Sequence, residues 1–140
     1  MVHALEQIRR LLKPSGRLVD IHPMDRPPPV AVRLGPHTHP LGYLRETDDS
    51  IEYRQADAAV AQVVREGLFA VEHMGEFPFR IYSDAVAELQ TYLAEEWKDA
   101  VLDDAIAQRA AELLGGPERD KVLIVQDHIH IARLRPVFAA

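Results

Sequence analysis

Apolar residues recur at Ala4, Leu5, Ile8, Leu11 and Leu12, a spacing that lays one apolar stripe along a helix. Arg9, Arg10 and Lys13 fall in its last turns, where cations favour a helix C-terminus. Pro14 and Gly16 then stop it. Leu18, Val19 and Ile21 follow as a short apolar strand, the pattern of a strand covered on both faces. The prolines of "HPMDRPPPVAVRLGPHTHPLG" exclude a helix and any central strand. That segment reads as a loop with one strand at Val30 to Leu34 and a second at Tyr43 to Arg45, before a polar turn, "TDDS".

A second helix is expected over "ADAAVAQVVREG", with Ala56, Val60, Val63 and Val64 on one face and Gly67 closing it. "FAVEHMGEFPFRIY" is rich in aromatic and β-branched residues and reads as extended, interrupted at Gly75 and Pro78. Ser83 or Asp84 is placed to cap a third helix, whose stripe is Val86, Leu89, Leu93 and Trp97. Leu102, Ile106, Ala110 and Leu113 form a fourth, ended by Gly115 to Pro117. "KVLIVQDHIHIARL" closes the chain as a long strand. Alternation puts Val122, Ile124, Gln126, His128, His130 and Leu134 on one side, with Leu123, Val125, Ile129 and Ile131 on the other. Four helices and four or five strands make an α/β protein, a sheet covered by helices. No repeat or linker divides residues 1–140, so one domain is expected.

Composition narrows the function. The 140 residues are 47% hydrophobic, enough for a core. A net charge of -6 argues against a broad nucleic-acid surface, which needs clustered Lys and Arg. There is no cysteine, so disulfides, thiolate metal sites and Cys nucleophiles are excluded. No signal-peptide pattern or membrane-length apolar run occurs, and a soluble cytoplasmic protein is expected.

The stretch "ALEQIRRLLKPSGRLVDIHP" resembles a segment of class I S-adenosylmethionine-dependent methyltransferases. In that family a helix ending in a Leu-Lys-Pro-Gly-Gly-like turn leads into the fifth strand of a Rossmann-like sheet. Leu12, Lys13, Pro14, Ser15 and Gly16 match that turn, with Ser15 in place of the first glycine. The resemblance implies unusual backbone angles at Gly16 and a strand that enters the middle of a sheet. The family ends in an antiparallel strand pair, which "FAVEHMGEFPFRIY" and "KVLIVQDHIHIARL" would supply. "DSIEYRQADAAVAQVVREGLF" and the Trp97 region resemble an insertion of some members.

The family's Gly-rich cofactor loop, and the acidic residue that binds the ribose, have no counterpart here. The resemblance therefore implies the C-terminal half of a Rossmann-like methyltransferase sheet, its last strands antiparallel, covered by helices. It implies no cofactor-binding residue. No cofactor is expected for the isolated chain, and S-adenosylmethionine only if a partner completes the site. Leu18 to Ile21 would then be an apolar edge that associates with another copy or with a second methyltransferase half.

Seven histidines are the other candidate chemistry. His22 ends the first strand, at the end where open α/β sheets bind ligands, so His22, Met24 and Asp25 are candidates to line a cleft. A His beside an Asp is a potential general base. The pairs His37/His39 and His128/His130 are spaced by two, so each pair points one way from an extended strand. Together they offer four imidazoles to a metal, the weaker reading beside hydrogen-bonded surface histidines. Glu95-Glu96 and Asp103-Asp104 read as solvated helix faces, because adjacent helical residues do not face each other. No Gly-x-Ser-x-Gly elbow supports a serine hydrolase. Three readings remain: a methyltransferase-like domain with no site of its own, non-catalytic or completed by a partner; a small ligand- or metal-binding protein with a His-lined cleft; and, ranked last because nothing replaces the glycine loop, an S-adenosylmethionine enzyme whose cofactor site is rebuilt across a homodimer.

Overall fold

The computed structural model describes residues 1–47 and 49–139. In chain order the elements are α1 (Val2–Leu11), β1 (Leu18–Pro23), β2 (Pro29–Leu34), β3 (His37–Tyr43), β4 (Arg45–Glu46), α2 (Asp49–Arg65), β5 (Phe69–Ser83), α3 (Val86–Glu96), β6 (Ala100–Val101), α4 (Asp104–Leu114) and β7 (Lys121–Pro136). The protein is α/β with four helices among the described residues, as the periodicity predicts. The four strand pairings with a defined register are all antiparallel, which is not the strand order of a parallel doubly wound sheet. The chain forms two compact units, Met1–Asp25 with Ser50–Phe77 and His128–Ala140, and Arg26–Asp49 with Pro78–Asp127. Both β5 and β7 contribute one part to each unit, and β5 pairs with β7.

In the first unit α1 presents Leu5 and α2 presents Ala59, Val60 and Val63 to a core completed by Phe69, Ala132 and Leu134. Leu18 of β1 packs there too, directly opposite Leu134 in the antiparallel ladder. Cross-strand neighbours share a face. Leu18, Asp20 and His22 therefore lie with Leu134, Ala132 and His130 on the helix-covered side of the ladder. Gly67 closes α2 in the left-handed region, φ +71°, and its N–H bonds the Val64 carbonyl.

Two expectations for this region change. β1 is not a central strand: it is the end strand of its sheet, and β7 is its only strand partner among the described residues. Nor is it covered on both faces, since Val19 is 51% and Ile21 57% exposed. Gly16 does not adopt a positive φ. Space demands glycine there instead: a Cβ would lie 3.0 Å from the Lys13 carbonyl oxygen and 3.1 Å from Leu12 Cδ2.

In the second unit β2 lies between β3 and the first part of β7, with Val32 opposite His39 on one side and Leu123 on the other. Val30, Val32, Leu123 and Val125 form a core with Leu89 and Leu93 of α3 and Ala110 of α4. The proline argument therefore fails for β2, a central strand. Pro29 is its first residue, where a missing N–H disturbs no ladder interior, and Pro40 sits in the end strand β3. The strand expected at Tyr43 to Arg45 is instead β3 ending at Tyr43 and the two-residue β4, paired with β6. Of the "TDDS" turn, Asp48 lies outside the described residues, while Asp49 and Ser50 already belong to α2. Ser83 and Asp84 do not cap α3. Glu88 reaches back, its Oε2 accepting the Asp84 backbone N–H at 2.7 Å.

Along β7 the buried positions are Leu123, Val125 and Asp127 in the second unit, then Ala132, Leu134 and Pro136 in the first. The buried set thus changes from odd to even numbers, so different members of the expected alternation are buried in the two units. Each core takes the parity it needs, and the change falls across the half-buried run His128 to Ile131.

Leu134→Ala should destabilise the protein by about 2–5 kcal/mol, the range for emptying a buried leucine site. Gly67→Ala, with nothing within 4 Å of the added Cβ, should cost only the strained backbone, about 1–2 kcal/mol. Urea denaturation measures both; equal effects would contradict the assignment.

Candidate functional site

The first unit brings together polar side chains that are remote in the sequence. Alternation along β1 puts Asp20 and His22 on one face. α2 sets Asp57 over that face. His22 Nε2 lies 2.8 Å from Asp57 Oδ1, and His22 Nδ1 lies 3.0 Å from Asp20 Oδ2. The second contact is within ion-pair distance but off the hydrogen-bond direction, so both of its buried atoms lack an aligned hydrogen bond. The His22 side chain is only 10% exposed, whereas Asp57 is 54% exposed. His130, opposite His22 in the ladder, places its ring 5.0 Å from that of His22. The result is a carboxylate–imidazole–carboxylate row with a second imidazole beside it.

Asp57 and His130 also line an apolar cleft of about 440 Å³ with Val60, Val64, Val71 and Met74. That volume lies within the range of small-molecule sites. His130 puts an imidazole on the lining of that cleft, and Asp57 a carboxylate held from behind by His22, polar groups that can hydrogen-bond and orient a small ligand.

The residues singled out from the sequence have separate places. His22 stands behind the cleft and holds Asp57, rather than contributing to the lining. Asp25 is not the carboxylate beside it, for Arg54 donates to Asp25 Oδ2 at 2.9 Å. Met24 is half-buried, and its N–H bonds the His128 carbonyl. His37 and His39 lie on β3 in the second unit and line a different pocket with Glu118 and Asp120. His128 and His130 lie on β7 in the first unit, and among the described residues no group of three His, Asp or Glu side chains has the arrangement of a metal site. Asp20 and Asp57 were missed. Asp20 was open to alternation with His22, whereas Asp57, in "RQAD", carries only the pattern of surface charge.

The other face of the β1–β7 ladder is built differently. Val19 stands opposite Arg133 and Ile21 opposite Ile131. Three guanidiniums meet one carboxylate there: Arg17 Nε donates to Glu72 Oε2 at 2.7 Å, Arg133 Nε lies 3.1 Å from the same oxygen, and Arg135 Nε is 3.9 Å from Oε1. The hydrogen bond from Arg17 holds the Glu72 carboxyl below its usual range. Partial burial opposes this, and the charges of Arg17, Arg133 and Arg135 add to the lowering. Val19, Met74, Ile131 and Arg133 line a shallow cleft of about 320 Å³ beside this cluster.

Comparison with known protein families, with curated proteins and with solved structures gave no match.

Two outcomes test the site. Because the native carboxyl of Glu72 is depressed, its stabilisation is complete above the unfolded value of about 4.3 and is lost as pH falls through the lower native value. Glu72→Gln should therefore be less stable than wild type at pH 7, with the gap closing as the solution is acidified through that window; a gap constant with pH would refute the pairing. His22→Ala should cost about 1–3 kcal/mol, because it empties the place of a side chain only 10% exposed and removes its hydrogen bond with Asp57 Oδ1. Melting curves of His22→Ala beside the exposed His37→Ala check this.

Proposed function

We propose that this chain is a methyltransferase-like domain with a partial Rossmann-like sheet and no S-adenosylmethionine site of its own. It works in the cytoplasm as a non-catalytic or partner-completed half. One observation carries the reading: β1 is an end strand whose outward residues, Val19 and Ile21, are both more than half exposed. An antiparallel sheet with one solvated face ordinarily turns polar residues outward. An apolar strand at a sheet edge is a place where another chain is due. The motif "LLKPSGRLVDI" supports the same reading, since α1, the turn and β1 follow one another as the resembled segment requires. In that family the equivalent strand pairs with the half of the sheet that carries the cofactor loop. S-adenosylmethionine would bind only after a second methyltransferase half, or another copy of the chain, completes it.

The Asp20–His22–Asp57 row favours a second reading, a small ligand-binding protein. Its cleft suits an apolar molecule with one hydrogen-bonding or basic group set at Asp57. The grouping of histidines favours an organic ligand over a metal.

Calorimetric titration of the purified chain with S-adenosylmethionine, after its mass in solution is measured, tests the first reading. No saturable heat is expected up to about millimolar cofactor, a concentration at which a site of millimolar affinity would show. Saturable one-site binding by the chain alone would overturn it.

A further inference from the structure

The uncovered face of β1 and β7 has a charge as well as an apolar surface. Val19 and Ile21 are exposed on it, and Met74, 61% exposed, borders the same shallow cleft with Ile131. Around them stand Arg17, Arg133 and Arg135, with Glu72 as their shared carboxylate. One carboxylate cannot neutralise three guanidiniums. Three positive charges less one negative leave the cluster at +2, in a chain whose net charge is -6. The cations thus gather where the apolar side chains are uncovered, against the sign of the whole molecule.

From this juxtaposition we infer that the face docks an amphipathic helix of a partner protein, with its apolar stripe on Val19, Ile21 and Ile131 and flanking Asp or Glu residues on Arg17, Arg133 and Arg135. The inference rests on the partner-completed reading and names the chemistry of that partner. A helix fits because α1 and α2 already cover the opposite face of these strands, and a second helical layer is the usual cover for the free one. Helical spacing also sets an acidic side chain one turn from an apolar one, matching a guanidinium cluster beside a cleft. A second copy of the chain fits poorly. A two-fold contact through this face would bring each +2 cluster toward its own image.

The test uses two labelled synthetic peptides of about 18 residues, roughly five helical turns, with one leucine stripe. One carries Glu beside the stripe, the other Lys. Fluorescence anisotropy with the intact chain at low salt should show the Glu peptide binding at least about tenfold more tightly, with the preference fading as salt rises. Arg133→Glu combined with Arg135→Glu should reverse the preference toward the Lys peptide, and Glu72→Gln should enlarge the preference for the Glu peptide. Ile21→Ser should weaken both peptides alike. Circular dichroism confirms that each variant is folded. Equal binding of the two peptides, no binding of either, or a preference that survives the double arginine variant would overturn the inference. So would a wild-type dimer that Arg133→Glu dissociates, or a chain that sediments with phosphatidylserine vesicles while ignoring the Glu peptide. The two readings fail separately. A chain that binds S-adenosylmethionine alone yet keeps the charge preference loses the half-protein reading and retains the docking face. A chain that ignores both retains the first and loses the second.

Discussion

Both hydrophobic cores of this protein depend on β7, because each is closed by side chains from that strand. Leu123 and Val125 enter one core, Ala132 and Leu134 the other. A strand presents alternate residues to one side, and β7 commits odd positions to one core and even positions to the other. The half-buried stretch from His128 to Ile131 is where that change occurs, and His130 is drawn into the polar row there. Chemistry gathers where the strand is least committed to packing.

The same alternation gives the first unit two unlike faces. On the covered face, Leu18 and Leu134 pack against α1 and α2, and the polar residues that share it are enclosed in pairs. His22 between two carboxylates is the result. On the other face the strands carry Val19 and Ile21 with no helix over them, and Arg133 and Arg135 point to solvent around Glu72. Burial of apolar area stabilises by about 25 cal/mol per Å², and the exposed side chains of Val19 and Ile21 forgo much of that term. Glu72 restrains the repulsion among three arginines, and its carboxyl is held below its usual range first by the hydrogen bond from Arg17.

Much of the fold was readable from local spacing. α1 and its stop, and α3 and α4 with Leu89, Leu93 and Ala110 inward, follow from the period of 3.6, whereas β5 runs unbroken through Gly75 and Pro78, where interruptions were expected. The misreadings share a cause. Leu18-Val19 and "VLIV" are apolar at consecutive positions, so alternation could not say which side of β1 or β7 was buried. Pro29 looked like a bar to a central strand because its place at the first position of β2 is known only from pairing. Gly16 looked like a left-handed residue, whereas its need is for space beneath the Lys13 carbonyl.

The sequence by itself determined most of the helices and the absence of thiol chemistry, because each depends on residues close together or on residues that are simply not there. The tertiary structure decided the site. Asp57 reaches His22 across 35 positions, and Glu72 reaches Arg17 across 55. Neither separation leaves a period or a motif in the chain. Such contacts are chosen by which faces pack together, and that choice is made by the cores rather than by the neighbours of each residue.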